Sequence, residues 1–144
     1  MKTIARRLLA PLAAALLVAG AAAAGTSTLA SRLVGHWSLV SVAIGDQQPY
    51  GADPRGSMFL DAAGHYSVIV AGAGGAGAIA YFGEYTLDEA AGAITLHIDA
   101  STRAAAAGRD EKRLARLDGD TLTLRSDRTS RGLGAVTLVW KRAD

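Results

Sequence analysis

The stretch LVGHWSLVSV, Leu33 to Val42, decides how the rest of the chain is read. It sets a glycine, Gly35, two residues ahead of a tryptophan, Trp37, on the threshold of the first run with strand character. A tryptophan brings a large apolar area and one N–H that needs a partner. A glycine close by lets another backbone or ring approach. Together they describe a strand that begins inside a packed end, not one lying open on a surface.

Working outward, Leu33–Ile44 reads as the first strand, ended by GDQQPYGADPRG, whose two prolines and three glycines make it an irregular loop. Further strands follow at Ser57–Leu60, His65–Ala71, Ile79–Asp88, Ala93–Ala100, Glu111–Leu117, Thr121–Ser126 and Ala135–Arg142. Turn residues separate most neighbours: DAAG at Asp61–Gly64, EAAG at Glu89–Gly92 and DGD at Asp118–Asp120. GAGGAGA, Gly72–Ala78, reads as a flexible connection and DRTSRGLG as a loop. TSTLASR, Thr26–Arg32, supports one helical turn capped by Ser27 or Thr28.

Eight short strands at regular spacing predict an all-β antiparallel meander. Closing it into a barrel hides both sheet edges, and eight strands leave an interior that is filled or holds one small ligand. An immunoglobulin-like sandwich is the structural rival, but its long crossing connections suit these tight turns poorly. RAAAAGRDEKRLAR, Arg103–Arg116, has helical propensity. Gly108 and the alternation after it favour a loop entering a strand.

The first 24 residues read as an address. Lys2, Arg6 and Arg7 precede an apolar, Ala-rich run, and Ala22 and Ala24 form an A-x-A exit before Gly25. That is the three-part pattern of a secretory signal. The run is short for a span of ~20 residues and is interrupted by Pro11, so a retained anchor fits less well. Arg6-Arg7 also admits a twin-arginine signal. The expected organisation is a signal peptide at 1–24 and one domain at 25–144, periplasmic or secreted, with no stable membrane anchor after cleavage.

Three of the 15 basic residues lie in that leader, leaving 12 against 13 acidic ones. The remaining domain is close to neutral and gives no reason to expect nucleic acid. There is no cysteine. That removes disulfides, thiol catalysis and Cys-ligated zinc, and leaves stability to the core.

With these elements placed, Gly35-x-Trp37 resembles the lipocalin signature. In that family a basic residue near the final strand stacks on the tryptophan; Lys141 or Arg142 stands there, and Gly35, Trp37 and Arg142 form the expected structural signature. The chain more closely resembles the bacterial and fungal lipocalin-like domain family. The resemblance runs through LVGHWSLVSV, PYGADPRG, DAAGHYSV, YFGEYTLDE, HIDAS and LDGDTLTL, covering about Leu33 to Arg142. It implies a calycin-type eight-stranded antiparallel up-and-down barrel, but no single activity. It also implies two adjacent histidines in the fifth strand, where this chain has Leu96 before His97. A proline and an aromatic are expected in the next loop, where this chain has TRAAAA. On this reading Trp37 plugs the closed end beneath a cation from the last strand.

Alternation assigns the faces. It groups Tyr66 with Val68 and Val70, Tyr81 with Gly83 and Tyr85, and Arg113 with Ala115 and Leu117. If Leu117 points inward, so does Arg113, and an inward arginine needs an anionic or carbonyl partner. The candidate ligand-binding residues are therefore Tyr66, Tyr81, Tyr85 and Arg113. The plainer alternatives are core filling for the tyrosines, and for Arg113 an internal pair with Glu84 or Asp99 or an exit to solvent. His97 alternates with Ile94, Leu96 and Ile98 and is expected outside.

His36, His65 and His97 have no metal-binding spacing, and no Gly-x-Ser-x-Gly elbow or phosphate loop is present. No catalytic residue, metal or cofactor is assigned. The expected function is an exported protein binding a small hydrophobic or aromatic molecule, a carboxylate among the options, inside the barrel. Two alternatives stand beside it: a small isomerase or cyclase using Arg113 and a tyrosine, or a filled barrel acting through its surface.

Overall fold

A computed structural model describes residues 27–126 and 134–143. The expected leader at 1–24 and most of the DRTSRGLG loop lie outside the described residues. Eight antiparallel strands close in sequence order into an up-and-down barrel: β1 (Gly35–Ile44), β2 (Arg55–Leu60), β3 (His65–Ala71), β4 (Ile79–Asp88), β5 (Ala93–Ser101), β6 (Asp110–Asp118), β7 (Thr121–Ser126) and β8 (Val136–Arg142). Closure is made by β1 on β8, from Trp37 opposite Arg142 to Ile44 opposite Val136. A sandwich is thereby excluded. Each strand pairs with two neighbours, and no edge is left to protect.

Strands β3, β4 and β7 have the expected bounds. Strand β2 starts two residues early, at Arg55, because Arg55 and Gly56 still pair with Ala71 and Val70. The Ala-rich stretch before β6 forms only a short 3-10 turn, Ala104–Ala106, before the strand begins at Asp110. Helix propensity loses there because Leu114 to Asp118 pair with β7 while Asp110 to Leu114 pair with β5. GAGGAGA likewise holds a 3-10 turn, Ala73–Gly75.

The alternation works as expected on the inner face. Val68, Val70, Ile94, Leu96, Ile98, Leu122, Leu124 and Trp140 are buried, while residues between them face out. Gly83 relieves a bulge at Phe82/Gly83 on the β4–β5 seam. A Cβ there would sit 2.0 Å from the His97 carbonyl oxygen, so no other residue fits without moving the backbone.

A five-residue helix, α1 (Leu29–Leu33), closes one end. Its Thr28 cap accepts from the Ser31 N–H at 3.2 Å. The Glu89 carboxylate, from the β4–β5 turn, accepts from the Leu29 and Ala30 N–H groups at 3.0 and 2.8 Å. These are donors a helix start leaves without partners. Leu33 at the far end of α1 is fully buried in the barrel core.

Candidate functional site

The closed end explains the opening motif. Trp37 is 0% exposed and its indole N–H donates to the Leu33 carbonyl at 2.9 Å. Arg142, rather than Lys141, lies over the ring, 4.2 Å from its centroid. Its Nη1 donates to the Val34 carbonyl at 3.1 Å and its Nη2 to the Arg32 carbonyl. Gly35 leaves room for this cation: a Cβ would stand 2.8 Å from Arg142 Nη1, and the backbone φ of +133° already disfavours a side chain. Trp37, Arg142 and α1 thus form a floor in which the described polar contacts are made.

The opposite end is open. A cavity of about 1020 Å³ runs inward from the ends of β1, β3, β5 and β7 and the starts of β4, β6 and β8. Its wall is apolar where Val42, Val70, Ile79, Ile98 and Leu138 meet. Tyr50, Tyr81, Glu111 and Arg113 supply polar groups. Exposed Arg103, Arg109, Asp110 and Lys112 stand at its rim. An apolar chamber of this size with a few converging polar groups is the usual form of a small-molecule site.

Arg113 is on this wall because β6 places it opposite Ile94, and Glu111 opposite Leu96, on the buried face. Arg113 is only 8% exposed. Its Nη2 donates to the Glu111 carboxylate. Glu111, not Glu84 or Asp99, is the internal partner. Those two acids sit on the outer face around His97: Glu84 pairs across from it and Asp99 Oδ1 is 3.8 Å from its Nε2. The signal for Glu111 is present in the sequence, since the two-residue period that carries Arg113 inward carries Glu111 with it.

Arg113 Nη1 is buried and has no hydrogen-bond partner among the described residues. Leaving a buried donor unsatisfied costs about 1–3 kcal/mol, more for a charged group. Trp140 Nε1 shares that status, but its ring stands beside Leu39 and Leu122 and is not part of the cavity wall.

The three candidate tyrosines separate. Tyr81 is on the cavity wall beside Arg113; burial pushes its hydroxyl up, and the adjacent guanidinium opposes that shift. Tyr66 lies deeper, edge-on to Tyr81 with ring centroids 6.0 Å apart, and donates to the His97 carbonyl at 3.1 Å across Gly83. Burial raises its pKa as well. Tyr85, expected on the ligand side, is brought to the closed end instead, where it donates to the Asp61 carbonyl at 2.6 Å. Four residues along β4 separate it from Tyr81, enough to move it from the chamber to the floor. Tyr50, which periodicity cannot find because it lies in a loop, joins the wall.

Among the described residues, no three His, Asp or Glu side chains converge as a metal site. His97 faces out as expected and holds Asp110 Oδ1 at 2.6 Å from its Nδ1. The molecule is thus of a definite class: a closed eight-stranded antiparallel barrel with one end packed shut and a chamber compatible with ligand binding at the other. No protein-family model matches the chain, and no match was found among curated proteins.

Proposed function

We propose that this protein is an exported, lipocalin-like binding protein. It takes one small apolar or aromatic molecule into the chamber, with a single hydrogen-bond acceptor of that molecule, carboxylate or carbonyl, directed at Arg113. The observation that carries the reading is the buried, unpartnered Arg113 Nη1 on the wall of a chamber whose lining includes Val42, Val70, Ile79, Ile98 and Leu138. A barrel acting only through its outer surface has no use for a chamber of about 1020 Å³. Lys2, Arg6 and Arg7 followed by the Ala-rich run to Ala24 support export.

Native mass spectrometry of the protein purified from its own host tests the binding role. The expected result is a small apolar adduct that survives gentle desolvation. It is lost in Ile79→Trp, which fills the mouth from a half-buried position without entering the floor. An adduct retained at full occupancy in a folded Ile79→Trp protein counts against the chamber as the site.

A further inference from the structure

Resting on that reading, we infer that the ligand of the chamber is a neutral carbonyl compound, a ketone, ester or amide, and not a carboxylate. The geometry of the Arg113–Glu111 pair carries this. Arginine binds carboxylates best through two parallel N–H bonds from its fork. Here Nη2 is held by the Glu111 carboxylate, and Nη1 is the unpartnered nitrogen. A carboxylate bridging Nη1 and Nη2 would be seated against the Glu111 carboxylate already on Nη2.

Charge points the same way. Arg113 and Glu111 neutralise each other on the wall, so the deep end offers donors without net positive charge. A second carboxylate would lie close to the first in an enclosed site, where like charges disfavour one another. The remaining rim charges Arg103, Arg109, Lys112, Asp46 and Asp110 are exposed and of both signs, where water and salt weaken them.

What the site does offer is two donors. Arg113 Nη1 has no partner, and the Tyr81 hydroxyl stands beside the same guanidinium. A carbonyl oxygen has two lone pairs and accepts from both without bringing charge. The apolar wall of Val42, Val70, Ile79, Ile98 and Leu138 covers the hydrocarbon remainder.

Three matched fluorescent probes test this on the purified protein at pH 7: pyrene, 1-acetylpyrene and pyrene-1-carboxylate. The expected order places 1-acetylpyrene at least about tenfold tighter than the carboxylate, a gap of the size one uncompensated like-charge contact gives. Glu111→Gln, which keeps the shape and removes the charge, narrows or reverses that gap. Tyr81→Phe weakens 1-acetylpyrene and leaves pyrene unchanged. If the carboxylate equals or exceeds the ketone in the native protein, the carbonyl assignment is overturned while pyrene binding keeps the chamber as a site. If 1-acetylpyrene gains nothing over pyrene, the assignment is overturned in the same way. If pyrene and both derivatives all fail to bind, the chamber itself is not a ligand site and both readings fall. The native ranking decides even if a variant does not fold.

Discussion

Two inward arginines, one at each end of the barrel, show how the same residue type serves opposite ends. Arg142 at the floor lies on Trp37 and donates to the carbonyls of Val34 and Arg32. Arg113 at the mouth end donates to Glu111 and keeps a buried nitrogen with no partner among the described residues. The floor is complete: Leu33 and Trp37 are fully buried, and Thr28 and Glu89 satisfy the start of α1. The mouth end leaves a donor unanswered beside about 1020 Å³ of space. A cation whose donors are accepted by its own chain locks a structure; one with a donor left over waits for something else.

The contrast predicts that changes at the floor act on stability and changes at the mouth act on binding. Trp37→Ala is the largest: it removes a fully buried ring, and truncations of that size cost about 3–5 kcal/mol. Urea unfolding measures it. A loss below about 1 kcal/mol, the range of ordinary surface changes, removes Trp37 from its role in the floor. Arg142→Met comes next, with an expected loss of about 2–3 kcal/mol from a cation–π contact and two carbonyl bonds. Its folded fraction binds ligand as the parent does, and a selective loss of binding at full stability breaks the comparison.

The fold was legible because its signals are local and repetitive. Turns such as Asp61–Gly64 and Asp118–Asp120 fix which strands are neighbours, and a two-residue period fixes which side chains go in. Gly35 and Trp37 carry the floor in three consecutive positions. The site was less legible, for two reasons. Alternation gives a face but not a depth, so Tyr81 and Tyr85 look equivalent in sequence although one lines the chamber and the other bonds the Asp61 carbonyl at the floor. Loop residues carry no period at all, which hides Tyr50. Glu111 was within reach of the same alternation as Arg113; an acid at an inward position reads as an exposed strand end until its partner is known.

At the mouth the expected effect on stability is smaller and the effect on affinity larger. Arg113→Met keeps the bulk of the stem and removes the unpartnered donor. Binding of a carbonyl probe falls by about tenfold, equivalent to about 1.4 kcal/mol. Alone it leaves the Glu111 carboxylate without its cation, so some stability is lost. Adding Glu111→Gln relieves that, and the double variant unfolds at the parent's urea concentration or above it, since replacing an enclosed ion pair is often neutral or stabilising. A double variant that is much less stable than the parent assigns the pair to holding the barrel together, and the distinction between the two ends disappears.

The smallest effects come from pH, and they have opposite signs at two places on the outer wall. At the closed end, Asp61 accepts from the His65 and Ala63 N–H groups at 2.8 and 2.9 Å, and its side chain meets His65 Nδ1 at 3.0 Å. The His65 backbone bond, then the His65 side chain, hold its carboxyl below the ordinary 3.8. Its contribution to stability is therefore present above 3.8 and lost as pH falls through the lower folded value. On the β5–β6 wall, His97 is raised above its ordinary 6.5, first by its hydrogen bond to Asp110 and then by the charges of Asp110, Asp99 and Glu84. That contribution is complete below 6.5 and is lost as pH rises through the higher folded value. Urea midpoints against pH separate them: Asp61→Asn flattens the acid side of the profile and leaves the side above 6.5 alone, while His97→Gln does the reverse. Both sites are exposed, so the shifts are small and shrink with added salt. A profile in which His97→Gln leaves the side above 6.5 unchanged shows that the Asp110 bond does not form in solution.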